Sequence, residues 1–140
     1  MEITPVDWSE IRHFKRSEFV CRCGCGVERM DHGFVQFLDE LREIYGKPMK
    51  ITSGYRCPMH NAAVSKTGHV GPHTTGLAVD IACHGYDALM LMRHAILMTD
   101  RGNGITGYGM SQKGPLQSRF AHLDRLQNAP NSPRPWIWTY

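Results

Sequence analysis

The chain has 140 residues, 41% of them hydrophobic and 21% charged, which suits one globular domain (residues 1–140) with a real core. A formal net charge of +3 fits an anionic surface such as a cell wall and is too small to argue for nucleic acid. No apolar run approaches the ~20 residues of a membrane span, and Met1 to Phe14 has no basic segment followed by an apolar one, so the expectation is cytosolic synthesis without a secretory signal or membrane insertion.

Residues 1–30 read as irregular. Asp7 to Glu10 can start a helical turn, and Phe14 and Phe19 can anchor the segment to the core. Cys21-Arg22-Cys23-Gly24-Cys25-Gly26 is a tight, turn-rich loop. Its Cys-x-Cys-x-Cys spacing is not that of a standard zinc finger. Buried free thiols or one late disulfide are the preferred readings, with a second, structural metal that includes Cys57 as the alternative. An odd count of five cysteines argues against a full disulfide framework.

Asp31 to Gly46 is the clearest helix: Phe34, Leu38, Leu41 and Tyr45 share one face, Asp31 is the N-cap, and Gly46 with Pro48 stops it. Met49 to Ser53 reads as a strand running into Gly54-Tyr55-Arg56-Cys57-Pro58, and Pro58 can open a short helix. Residues 65–76 form a polar, Gly-rich loop carrying His73, and Leu77 to Ala82 is a short apolar strand with Asp80 inside it. Tyr86 to Asp100 reads as a well-buried second helix, ended by Arg101-Gly102-Asn103-Gly104. Ile105 to Met110 and Arg119 to Asp124 read as a hairpin, and the aromatic tail from Arg134 to Tyr140 is expected to close over the core.

A carboxylate within a buried strand is costly unless it is paired, hydrogen-bonded or bound to a metal. His73 and Asp80 are both good zinc ligands, and His122, in the strand-like Phe120 to Asp124, is the best third. Three protein ligands would leave one zinc position open for water. On spacing alone the alternative, a surface His73, a turn Asp80 and a core His122, carries more weight, since His-Glu-x-x-His is absent.

Four blocks in order change that balance. Phe14 to Gly26 holds a Phe-x-x-x-Glu-Phe segment and its cysteines; Ile51 to Asn61 holds Ser-Gly-Tyr-Arg; His73 to Asp80 is a His-x-x-Gly-x-Ala-x-Asp motif; and His122-Leu123-Asp124 is followed by Arg134-Pro135-Trp136. With these blocks the chain resembles the zinc D-Ala-D-Ala carboxypeptidases and L-alanyl-D-glutamate endopeptidases, most of all the branch found in phage lysis and virion proteins. The resemblance covers nearly the whole chain. It departs from many relatives at Gly71, where they carry Ser, and before His122, where Arg119, Phe120 and Ala121 offer no base.

The resemblance implies an α+β fold, with helices on one side of a small, mainly antiparallel sheet, as in these peptidases and the hedgehog signalling domains. It implies one catalytic zinc held by His73, Asp80 and His122. Arg56 would hold the substrate carboxylate or polarise the scissile carbonyl. Asp124 would act as general base or orient the metal site; an alternative register makes Asp124 the ligand and His122 the base. Ser53, Tyr55 and His60 would bind substrate, although Tyr55 is equally suited to the core. His69 and His84 are expected in solvent, and Trp136 and Trp138 in packing, with stacking on substrate as the alternative. The implied substrate is the peptide of bacterial peptidoglycan, cut by a monomeric enzyme that reaches the wall after release, in phage lysis or as part of a virion. The rival expectations are a catalytically silent zinc- or wall-binding module and a virion structural component.

Overall fold

The computed structural model describes residues 2–99 and 104–140. Its five-stranded sheet has the order β1-β2-β4-β3-β5, with β1 Lys50–Ser53, β2 Ala78–Ala82, β3 Gly107–Ser111, β4 Phe120–Asp124 and β5 Trp136–Thr139. All pairings are antiparallel except that of β3 with β5, which is parallel. The α-helices among the described residues are α1 His32–Tyr45, α2 Pro58–Val64 and α3 Gly85–Thr99. None is long and apolar enough to cross a membrane.

Side chains alternate across a strand, so each strand divides its residues between two faces. In β2 and β4, Val79, Ile81, Ala121 and Leu123 fall on one face and join one core with Phe34, Leu38 and Leu41 of α1 and Ala88, Leu91 and Ala95 of α3. Burial of each large apolar side chain contributes about 1.5–3 kcal/mol. Asp80, His122 and Asp124 fall on the opposite face. The two long helices thus occupy one side of the sheet as expected, while the short α2 ends beside the other face.

The caps follow the sequence. The Asp31 carboxylate accepts from the Phe34 N–H, and Gly46 ends α1 in the left-handed conformation. The N-terminal segment is tied to α1 by Asp39, whose carboxylate accepts from the backbone N–H groups of Arg12 and His13. Phe14 and Phe19 are buried as expected.

Two expectations change. Helix α3 is not buried all round: Ala88, Leu91 and Ala95 form a narrow stripe of mostly small residues against α1 and β4, and Tyr86, Leu89 and Leu97 are at least half exposed. The reading of Asp100 and of Arg101 to Asn103 as the helix end lies outside the described residues. The aromatic tail does not close over the core either. It adds β5 to the free edge of β3, where its backbone finds hydrogen-bond partners and leaves Trp136 and Ile137 exposed.

Candidate metal centre

Strand register builds the site. Asp80 of β2 lies directly opposite His122 of β4, and directly opposed side chains stand close enough to touch. Here His122 Nδ1 is 2.9 Å from Asp80 Oδ1. His73 comes from the turn Pro72–Thr74 before β2, with its Nε2 3.3 Å from the same Oδ1. His73 is 4% exposed, Asp80 8% and His122 2%.

Each imidazole is turned by its second nitrogen. His73 Nδ1–H donates to the Gly54 carbonyl at 2.8 Å, with the Ser53 hydroxyl 3.5 Å away, which leaves Nε2 facing Asp80. His122 Nε2–H donates to Asp124 Oδ2 at 2.8 Å, which leaves Nδ1 facing Asp80. A carbonyl or carboxylate behind the ring is the usual device that fixes the free nitrogen of a metal-binding histidine. Asp124 is fully buried and gripped at both oxygens by Arg134, Nε to Oδ1 at 2.9 Å and Nη2 to Oδ2 at 2.7 Å.

The charges are mutually dependent. Burial disfavours ionised Asp80, but the charge of His73 and the hydrogen bond from His122 outweigh it and hold the carboxyl well below its usual range. Burial would lower His122, yet its hydrogen bonds to Asp124 and Asp80 push it up to about 9. Burial likewise opposes ionised Asp124, and the hydrogen bonds from Arg134 and His122 bring it down to about 2. A cation at this point would compete with a proton for His122 Nδ1 and Asp80.

Glycines clear the ground around these groups. On β3, Gly107 lies opposite Asp124 and Gly109 opposite His122. A Cβ on Gly107 would strike the Asp124 carboxylate, and one on Gly109 would come within 2.6 Å of the Trp138 ring. Trp138, opposite Gly109 on β5, thus lies across the strand with its ring centre 5.2 Å from that of His122.

The three donors open into a cavity of about 410 Å³, also lined by Arg56, Phe120, Trp138 and Tyr140. Arg56 reaches Asp80 Oδ2 at 3.6 Å and donates from Nη1 to Asn61 Oδ1 at 3.1 Å. Asn61 is fully buried and donates in turn to Thr67 and to the Gly68 carbonyl. A Cβ on Gly71 would meet the Thr67 hydroxyl and Asn61, so the departure at Gly71 goes with this clamp.

The donor set fits zinc. Tetrahedral bonds of about 2.0–2.2 Å put neighbouring donors roughly 3.3 Å apart, close to the 2.9 and 3.3 Å separations from Asp80 Oδ1, and all three donor atoms lie within 4.8 Å of one another. The model of the Peptidase M15 family matches residues 12–124. The chain belongs to the Peptidase M15 family. That family consists of zinc-dependent metallopeptidases. No curated protein matches the chain.

The M15 match contains Arg56, His73, Asp80 and His122, which the structure gathers around one cavity. It stops at Asp124, so Arg134, Trp138 and Tyr140 lie beyond it. The other expected residues do not line the cavity. Tyr55 is in the core, Ser53 stands behind His73, and His60 is on α2. Asp124 is also away from the cavity, sealed behind His122 with both oxygens engaged, a place suited to orienting the ring rather than to taking a proton from water. The alternative register, with Asp124 as ligand, is not the cluster the structure forms.

Sequence reasoning passed over Gly107, Gly109 and Asn61, and it preferred packing for Trp138, which lines the cavity. The alternation of Gly107 and Gly109 on a strand was a usable signal, because strand glycines mark places where another group approaches closely.

Proposed function

We propose that this M15 chain is a zinc peptidase that cleaves short peptides of bacterial peptidoglycan. The observation that carries it is the orientation of His73 Nε2, Asp80 and His122 Nδ1 toward one point at the floor of a cavity that also presents Arg56. The family's chemistry and the resemblance to D-Ala-D-Ala and L-alanyl-D-glutamate peptidases supply the substrate class. When bound, zinc supplies a Lewis acid for the peptide carbonyl and a water whose pKa falls toward ~7.

The chain's own groups do the rest. Arg56, fixed by Asn61, offers a permanent charge to the carbonyl oxygen as negative charge develops there, or to a substrate carboxylate. Asp124 and Arg134 hold His122 in the tautomer that keeps Nδ1 free. Trp138 and Tyr140 give the cavity an apolar wall for the substrate backbone and exclude water from one side. Such an enzyme acts on the wall once it gains access, as in phage lysis or virion entry.

One observation favours a second reading, a zinc-holding wall-binding module without catalysis. Among the described residues, the cavity lining contains no carboxylate or imidazole beyond the three ligands to serve as a separate base. Digestion of purified peptidoglycan, with fragments read by mass spectrometry, separates the two. Chelator-sensitive release that is lost in Arg56→Ala supports the peptidase, and the fragment masses name the bond. Wall binding by folded, zinc-loaded protein without release supports the module.

A further inference from the structure

Four of the five cysteines lie outside this chemistry and converge. Cys21, Cys23 and Cys25 project from one loop and Cys57 from the residue before α2, and one sulfur from each lies within 4.8 Å of the others. The Cys21 and Cys23 sulfurs are 3.4 Å apart, and those of Cys23 and Cys57 3.7 Å. An extended Cys-x-Cys-x-Cys segment would spread its sulfurs along a line. Here Gly24 at φ 91° and Gly26 at φ 77° take the left-handed conformation that bends the loop around a centre.

Backbone donors point at this centre. The Cys57 N–H donates to Cys21 Sγ at 3.3 Å, and the His60 N–H donates to Cys57 Sγ at 3.4 Å. Amide donors aimed at sulfur favour the thiolate form, the form that binds metal. Four sulfurs select a soft or borderline cation, and a full set of four protein ligands leaves no open position for catalysis.

We propose that Cys21, Cys23, Cys25 and Cys57 hold a second zinc ion, a structural one, separate from the site at His73, Asp80 and His122. The ion fastens the N-terminal loop to the segment that carries Arg56. That segment already lies against the loop: the Tyr55 N–H donates to the Phe19 carbonyl at 3.0 Å, and a Cβ on Gly54 would come within 2.8 Å of the Phe19 Cα. It also supports the metal centre, through the Gly54 carbonyl on His73 Nδ1 and through the Arg56 N–H, which donates to the His73 carbonyl at 3.0 Å. The four-cysteine ion is therefore a positioning element for both Arg56 and His73.

The test is metal counting on the full chain, purified with reductant and without chelator. Elemental analysis should find two zinc ions per wild-type chain, one in the double variant His73→Ala/His122→Ala, and one in Cys25→Ser, whose sulfur is exposed. Cobalt added to the metal-free His73→Ala/His122→Ala protein should give the near-ultraviolet thiolate-to-cobalt band, absent when Cys25→Ser is added to that variant. The wild-type and histidine-variant readings stand even if the cysteine variant fails to fold. A folded histidine variant that holds no zinc and gives no cobalt band overturns the proposal. So do cysteines that resist alkylation in denaturant until reduced, since they would be paired as disulfides. Because the histidine variants remove the first site, a failure here is distinct from a failure of the peptidase reading.

Discussion

The donors His73, Asp80 and His122 stand on two paired strands and the turn locked to them, each more than nine-tenths buried, whereas three of the four cysteine sulfurs come from one loop and the fourth from the N-cap of α2, with Cys23 and Cys25 exposed. The first cluster is held by the sheet itself. Its register places Asp80 against His122, and carbonyl, carboxylate and guanidinium groups behind them fix each ring. The second has a few backbone N–H groups and two left-handed glycines behind it. A preorganised site suits chemistry, because its geometry does not wait for the ion. A turn-built site depends on the ion for its cohesion, as structural zinc sites do.

The sharpest way to break this comparison is at His122. His122→Ala should abolish zinc at the strand-built site and lower wall cleavage more than ~10³-fold, while circular dichroism shows the sheet intact. Loss of the fold along with the metal would mean that the strand site also needs its ion. Next in size is Arg134→Ala, which strands a fully buried carboxylate. It should cost about 3–5 kcal/mol in urea unfolding, in zinc-free and zinc-loaded protein alike. An effect confined to the zinc-loaded form would show that Arg134 acts only through the metal. Gly109→Ala should cost about 1–3 kcal/mol by pressing on Trp138, with KM for a wall peptide rising more than kcat falls. The smallest effect belongs to the surface site: Cys25→Ser should lower the melting temperature by about 5 °C, and chelation of the wild type should do the same without melting β2 and β4. An unchanged melting temperature in Cys25→Ser would count against cohesion from the cysteines.

Much of this was legible in the residues because local rules apply. Asp31 and Gly46 bound α1, Pro58 opens α2, and the apolar runs around Asp80 and His122 are strands. The candidate ligands His73, Asp80 and His122 were legible through the four family blocks, since on spacing alone the reading without a metal carried more weight. What escaped depended on contacts between segments far apart in the chain. Nothing near Asp124 in the sequence reveals that Arg134 seals it, and nothing in Arg134 to Tyr140 reveals that β5 will run parallel to β3 and lay Trp138 over Gly109. Helix α3 misled for a different reason: Leu89, Ile96 and Leu97 are apolar, but the neighbours cover the helix along Ala88, Leu91 and Ala95, with Met92 and Met98 partly buried beside them. Tyr55 kept two readings in the sequence, and the close fit of Gly54 and Tyr55 onto Phe19 takes it into the core.

The adjacency of β2 and β4 also bears on time. Asp80 and His122 are neighbours in the sheet but 42 positions apart in the chain, with α3 and β3 between them. Pairings of that separation are slow to form, because a long loop must close before any contact rewards it. The full donor set therefore arises late on the folding route, and zinc at this site cannot seed the fold from a short peptide. Its influence belongs to the way back: in stopped-flow experiments added zinc should prolong the life of the native state against denaturant and leave the refolding rate almost unchanged.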